Sequence, residues 1–308
     1  MKKGLQLYTL IMAGFLTIAV LASYSKKEDL DAYRSAAATK NIPQIVTPID
    51  LDRPFEFAGE QVPMDNFDAK ERLDRELTVN TYWHSSTILN IKQTTRYFPM
   101  IEKILEEQGI PDDFKYLAVA ESSLRNAVSP AGAKGIWQFM KKTGEYYGLE
   151  VNKEVDERYH VEKATHAACK YLKDYYKRFG SWTLSAAAYN MGGTRLARDL
   201  KSQHATTYYD LNLNQETARY VFRIIAIKEI LKDPRNFGFY LEEEEYYAPL
   251  EDYESITVDG AVENWGDFAQ KNGISYRLLK IYNPWLVASK LTNKGRKEYK
   301  IKVPRKKF

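Results

Sequence analysis

Glu121 is the residue whose placement asks for a chemical explanation. It follows directly on the apolar run Tyr116-Leu117-Ala118-Val119-Ala120. Ser122-Ser123 come next, and then Asn126, Ser129, Pro130 and Gly132, which are turn and helix-ending types. The pattern predicts that Glu121 sits in the last turn of a helix, where the negative end of the helix dipole disfavours an anion. Apolar neighbours that bury the side chain act in the same direction, so its proton is held more tightly than in water. A glutamic acid still protonated near neutral pH can serve as a general acid. Glutamates at helix ends are more often simply exposed, so Glu121 alone decides nothing.

The residues downstream add to it. Ala131-Gly132-Ala133-Lys134-Gly135 can bring backbone close to a ligand, and Ile136-Trp137-Gln138-Phe139 supplies an apolar wall containing one carboxamide. Gln138 both donates and accepts, which suits the hydroxyl and acetamido groups of a sugar. Ala186-Ala187-Ala188-Tyr189-Asn190-Met191-Gly192-Gly193 repeats the design, with small residues for close packing, a Tyr-Asn pair and two glycines. Glu216-Thr217-Ala218-Arg219-Tyr220-Val221 opens a further helix and sets Glu216 and Tyr220 one turn apart on one face.

Four motifs in this order, Glu121-Ser122, Gly135-Ile136-Trp137-Gln138, Ala188-Tyr189-Asn190 with Gly192-Gly193, and Tyr220 within Glu216-Thr217-Ala218-Arg219-Tyr220, make the chain resemble the lytic transglycosylases of the soluble type. Their catalytic domain is related to goose-type lysozyme. The resemblance covers about residues 90 to 235. With a C-terminal cell-wall-binding module, the arrangement looks like the membrane-bound lytic murein transglycosylase D group. It implies a mainly α fold: a lysozyme-like helical catalytic domain followed by a small α+β, strand-helix-helix-strand, LysM-like domain.

The activity implied is cleavage of the bond between MurNAc and GlcNAc in peptidoglycan, leaving 1,6-anhydro-MurNAc ends. Glycosidases commonly use two carboxylates, whereas only Glu121 lies in a motif of the right kind. The 2-acetamido group of MurNAc can replace the second by attacking its own anomeric carbon. The resemblance makes Glu121 acid and then base. Ser122 is expected to hydrogen-bond Glu121 or help orient it, and Gln138, Tyr189 and Asn190 to position the sugars. Tyr220 is expected beside Glu121, tuning its proton. Glu216 either joins that polar cluster or starts its helix as a favourable N-terminal acid. A muramidase that admits water would share most of these motifs, and a non-catalytic wall-binding protein is the alternative from another class.

The rest of the chain must hold these residues. Its 308 residues allow one good-sized domain and a smaller one, and 44% hydrophobic with 28% charged residues is ordinary for a folded protein. A net charge of +4 is too small and too evenly mixed to point to nucleic acid, and it sits comfortably with a polyanionic wall. Met1-Lys2-Lys3 and the apolar run from Leu5 to Ala22 read as a signal peptide or an uncleaved membrane anchor, residues 1–24, which places the protein in the periplasm or cell envelope. Association with the inner or the outer membrane fits that reading.

Residues 25–69, with Pro43, Pro48, Pro54 and Pro63, read as an extended linker or strap, and 70–240 as the helical catalytic domain. Tyr97, Ile101, Ile104 and Leu105 follow helical spacing, and Gly109 with Pro111 closes that helix. The acidic run Glu242-Glu243-Glu244-Glu245 with Pro249 marks a linker over 241–252. Residues 253–308 resemble a LysM glycan-binding domain, in which the usual Gly-Asp-Thr-Leu turn is replaced by Gly260-Ala261-Val262-Glu263-Asn264-Trp265. Cys169, the only cysteine, reads as a small core residue. Asp156 and Arg158 read as a structural ion pair or helix cap, and His84, His160, His166 and His204 lack metal-ligand spacing, so no metal and no cofactor are expected. The expected partner is the peptidoglycan glycan strand, met by a monomer.

Overall fold

The computed structural model describes residues 46–305. The N-terminal apolar run, and the signal or anchor read there, lie outside the described residues. Ile49–Phe308 form one compact unit, which carries every helix and strand of the described region.

A two-stranded hairpin opens it, β1 (Glu56–Phe57) against β2 (Glu60–Gln61), with Glu56 opposite Gln61. Phe55, Phe57 and Val62 enter the main core from this segment. Asn66 then starts helix α1 (Phe67–Tyr82) by accepting from the backbone N–H groups of Asp68 and Ala69. Its Ala69, Leu73 and Leu77 recur at helical spacing and are fully buried. Helix α2 (His84–Glu107) follows after Trp83 and ends before Gly109, which takes the left-handed backbone that helix exits favour.

Helix α3 (Phe114–Ser122) is short and buried along most of its length. A loop and the short helix α4 (Lys141–Tyr146) lead to α5 (Val161–Phe179), α6 (Trp182–Met191), α7 (Gly193–Ser202) and the long α8 (Gln215–Lys232). Helix α8 packs against α1, α3 and α6, and α5 against α6 and α2. Burial of these apolar faces is the main source of stability. Helix α8 is the central support of the bundle, and Tyr220, Val221, Phe222, Ile224 and Ile225 are all buried on it.

Beyond the bundle, residues 243–245 make a single 3₁₀ turn, and the segment after it is fastened to α2. The Tyr247 N–H donates to the Lys92 carbonyl, the Thr95 hydroxyl to the Tyr247 carbonyl, and Arg96 Nε to the Ala248 carbonyl. Strand β3 (Tyr253–Val258) then pairs antiparallel with β4 (Tyr299–Pro304), Tyr253 opposite Pro304 and Val258 opposite Tyr299. Helices α9 (Trp265–Lys271) and α10 (Tyr276–Tyr282) lie between them in sequence, and Trp265, Ala269, Leu279, Trp285, Ile301 and Val303 form a second core. The architecture is mainly α with a small α+β C-terminal module, as the sequence implied.

The two cores meet in one place. Val155, from the loop before α5, is buried within the module's own core. Around it, the Asp156 N–H donates to the Trp285 carbonyl and the Val287 N–H to the Glu154 carbonyl. Glu154 accepts from the Thr292 N–H and hydroxyl, Glu150 from the Tyr299 hydroxyl, and Lys302 pairs with Glu162. Burial pushes His160, stacked on Trp285, down to about 4, so the ring is neutral at ordinary pH. Residues 150–162 are thus built into both parts.

Candidate active site

Glu121 occupies the last turn of α3, as its sequence context predicted. The helix ends abruptly because Ser123 and Leu124 both take the left-handed backbone, an arrangement that costs non-glycine residues energy and is held here by the fully buried Leu124. Desolvation pushes the Glu121 carboxyl up to about 7, and the exposed Glu216 adds to the rise. The hydrogen bond from the Tyr220 hydroxyl to Glu121 Oε1 and the positive charge of Arg223 act against it. The outcome is a side chain near half protonation at neutral pH. Its side chain is half-buried.

Tyr220 projects from the first half of α8, which Asn214 caps by accepting from the Thr217 N–H. Burial, and then the Glu121 charge, raise the Tyr220 phenol well above its ordinary range, so it stays a donor. The same two causes act on Tyr189, and its hydroxyl donates to the Trp137 carbonyl at 2.6 Å. Tyr189 and Asn190 are half-buried near the end of α6. At the head of that helix, the Glu60 carboxylate accepts from the Ser181 hydroxyl and from the Trp182 and Thr183 N–H groups. Burial opposes its charge, but these donors outweigh burial and hold Glu60 below the usual carboxylate range. The β1–β2 hairpin thereby fixes the helix carrying Tyr189.

The Gly135-Ile136-Trp137-Gln138 turn forms the facing wall. Trp137 is fully buried and donates through Nε1 to the Thr165 hydroxyl at 2.9 Å. Gln138 takes a left-handed backbone and spends its amide NH₂ on the Gly135 and Ala127 carbonyls, which fixes the turn. Gly135 is required: it has positive φ, and a methyl group there would overlap the Arg158 carbonyl. Arg158 chelates Asp156 through Nε and Nη2 at 2.8 and 2.7 Å and donates Nη1 to the Gly132 and Phe139 carbonyls. The pair read from sequence as structural is therefore the brace behind this wall.

The structure joins Glu121 to Tyr220 directly and brings Tyr189 within electrostatic reach of it. It does not join Ser122 to Glu121. The Ser122 hydroxyl donates to the Ile136 carbonyl at 2.9 Å and the Ala118 carbonyl at 3.2 Å, tying the end of α3 to the glycine turn. Of the two roles expected for Ser122, orientation is the one this geometry allows. Asn190 makes no hydrogen bond to the others. Glu216 lies exposed in the first turn of α8, acting on Glu121 through its charge.

Sequence reasoning missed Arg223, one turn beyond Tyr220 on α8, although its i+3 spacing was visible. Arg223 Nε also lies 3.5 Å from the fully buried Glu76, which Arg75 and Arg219 pair as well. Cys169 is buried, and desolvation pushes its thiol up to about 12, so it stays protonated and is no nucleophile. Among the described residues no group of three or more His, Cys, Asp or Glu is placed to hold a metal.

Residues 99–212 match the transglycosylase SLT domain, and 254–307 the soluble lytic transglycosylase C-terminal LysM-like domain. Over 259 residues the chain is 30% identical to membrane-bound lytic murein transglycosylase D of Escherichia coli, in strains K12 and O6:H1 alike, an alignment taking in 81% of this chain and 55% of each relative. The chain thus spans about half the length of the curated relatives it matches. Parts of two solved structures are also similar. One is an inactive mutant of lytic transglycosylase Slt from Pseudomonas aeruginosa, 20% identical, covering 49% of this chain and 26% of that one with a TM-score of 0.37. The other is the 70 kDa soluble lytic transglycosylase of Escherichia coli, 16% identical, covering 60% of this chain and 37% of that one with a TM-score of 0.39. Likenesses this partial leave the assignment to the two matched segments. The chain carries a transglycosylase SLT domain, which holds Glu121, and a C-terminal LysM-like domain of the kind found in soluble lytic transglycosylases.

Proposed function

We propose that this protein is a peptidoglycan lytic transglycosylase that cleaves the β-1,4 bond between MurNAc and GlcNAc with Glu121 as its single catalytic carboxyl. The observation that carries the reading is a desolvated glutamic acid, pushed up to about 7 and held by Tyr220, inside a matched transglycosylase domain. The protonated carboxyl gives its proton to the glycosidic oxygen as the bond to the MurNAc anomeric carbon breaks. The 2-acetamido carbonyl oxygen closes on that carbon and carries the positive charge that a second carboxylate otherwise meets. The Glu121 carboxylate then takes the proton of the C6 hydroxyl, whose oxygen displaces the acetamido group and closes the 1,6-anhydro ring. Glu121 ends protonated and no water is consumed.

Tyr220 donates to the carboxylate present between the two halves of the reaction and steadies it until the proton of the C6 hydroxyl restores the acid. Ser122, through Ile136, holds the catalytic helix end against the wall. Gln138, Tyr189 and Asn190 form the surface on which the sugars and their acetamido groups lie. The C-terminal module adds affinity for the glycan, and the protein works in the cell envelope, where murein is found.

The test is digestion of purified sacculi, with the released muropeptides identified by mass. Anhydro ends, one water lighter than hydrolytic products, are expected. Reducing MurNAc ends make the protein a hydrolase instead. Glu121→Gln is expected to keep the fold and lose about 10²–10⁴-fold in rate or more; full activity in that variant removes Glu121 from the chemistry.

A further inference from the structure

A polar pocket of about 550 Å³ is walled by β2, the turn before α1, the start of α6 and the loop joining α7 to α8. Helix geometry separates it from the catalytic carboxyl. The Tyr209 ring, part of its wall, packs on Phe222 of α8 with centroids 5.7 Å apart, and Tyr220, which meets Glu121, is two residues earlier on that helix. Two residues turn an α-helix by about 200°, so α8 stands between the pocket and Glu121.

Hydroxyl groups dominate the wall, from Ser181, Thr183, Thr206, Thr207 and Tyr209. Thr183 is 3% exposed and Tyr209 8%, and the hydroxyl of each lacks a hydrogen-bond partner among the described residues. Desolvation pushes the Tyr209 phenol up to about 12, against the nearby Thr183 hydroxyl, so it remains a donor. Two bare hydroxyls in one wall are costly in a fold that satisfies its buried polar groups.

The charged groups narrow the choice of ligand. No lysine or arginine lines the pocket, so an anion finds no partner there. Two of the three carboxylates are already engaged: Glu60 by the Ser181 hydroxyl and the Trp182 and Thr183 N–H groups, and Asp210 by the Thr207 hydroxyl at 2.6 Å. That leaves exposed Asp65 as an acceptor, too little for a cation site and well suited to a ligand hydroxyl. Phe67, which follows the wall residues Asp65 and Asn66, is 75% exposed and offers a ring face at the rim. A neutral polyol with one apolar face, a pyranose, satisfies all of these groups.

We propose that this pocket holds a sugar of a second glycan strand while the strand being cut lies against Glu121, fastening the enzyme to neighbouring strands. That the sugar belongs to peptidoglycan rests on the transglycosylase reading. A β-1,4-linked strand is stiff, so one seated at Glu121 does not wrap a helix about 10–12 Å across to reach its far face.

The binding arm of the test uses the full chain carrying Glu121→Gln, a GlcNAc-MurNAc tetrasaccharide as probe, and NMR of labelled threonine methyl groups. Saturable shifts are expected at Thr183, Thr206 and Thr207. Tyr209→Phe with Asp65→Ala should weaken that response at least about threefold, within the worth of one neutral hydrogen bond. The response of Thr165, which bonds Trp137 behind the catalytic wall, should stay unchanged. Silence at Thr183, Thr206 and Thr207, whatever Thr165 does, overturns the proposal.

The kinetic arm compares sacculi, in which neighbouring strands are linked, with the soluble tetrasaccharide. In the active enzyme the same double variant should raise KM on sacculi at least about threefold and leave kcat/KM on the tetrasaccharide within about twofold. Removing the unpartnered Tyr209 hydroxyl costs nothing if its role is structural, so a structural role predicts no change on either substrate. An unchanged KM on sacculi, or equal loss on both substrates, overturns the proposal. Pocket shifts without turnover in the wild type keep the site and remove the proposed chemistry; turnover with a silent pocket does the reverse.

Discussion

At the scale of single residues, catalysis depends on how the proton of Glu121 is held. Its neighbours act in opposite directions, which gives the site a directional test. Tyr220→Phe deletes the hydrogen bond that lowers the carboxyl, so the alkaline limb of the kcat/KM profile should move to higher pH while activity falls. Glu216→Gln deletes a charge that raises it, so the limb should move to lower pH. The two shifts must have opposite signs; a common direction, or none, contradicts the assignment. The same proton has a consequence for stability. Between the usual 4.5 and about 7 the folded chain binds a proton that the unfolded chain has released, so the Glu121 contribution falls as pH rises through that window and levels off above it. Glu121→Gln should flatten that part of the stability profile.

The helix end at Glu121 was legible because an apolar run meets turn-forming residues there. Its partner was not. Glu121 and Tyr220 are 99 residues apart, and no periodicity connects them, so only the family resemblance pointed to the contact. The Ser122 partner was hidden for the same reason, since a serine beside a glutamate reads the same whether it bonds forward to Ile136 or sideways to the acid.

At the scale of elements, the catalytic wall is a glycine turn braced by Arg158, which lies in a 3₁₀ turn, Glu157–Tyr159. The glycines in Ala131-Gly132-Ala133-Lys134-Gly135 signalled a close approach of backbone. They did not show that the approaching group is the Arg158 carbonyl and not a ligand. Gly135→Ala should therefore cost at least about 1–3 kcal/mol from backbone strain alone, with further loss from the overlap, and displace Trp137 and Gln138. Chemical denaturation of the variant measures this; an unchanged midpoint contradicts the brace. The Glu60 cap on α6 shows the same limit of sequence reading. A glutamate in a proline-rich, aperiodic stretch gave no sign that it would anchor the helix carrying Tyr189.

At the scale of the whole molecule, the C-terminal module is joined to the bundle through residues 150–162, with Val155 inside the module's core and Arg158 behind the catalytic wall. None of Glu150, Glu154 or Val155 looks unusual in sequence, so the composition shift after Phe239 was readable while the docking was not. Shared packing of this kind predicts one cooperative thermal transition for the described region. Trp285→Ala, removing a ring that stacks on His160 and Tyr299, should cost about 3–5 kcal/mol and raise amide exchange at residues 156–159. Two separate transitions, or exchange changes confined to the module, contradict this coupling.

The central claim, that a single carboxyl works because its surroundings keep it protonated, has one direct test. Glu121 can be titrated in the full chain by isotope-edited infrared difference spectroscopy of its carboxyl, with Glu121→Gln identifying the band. A protonated carboxyl band that persists to near neutrality and disappears around pH 7 is expected. Ionisation in the ordinary carboxylate range, near 4.5, would contradict it.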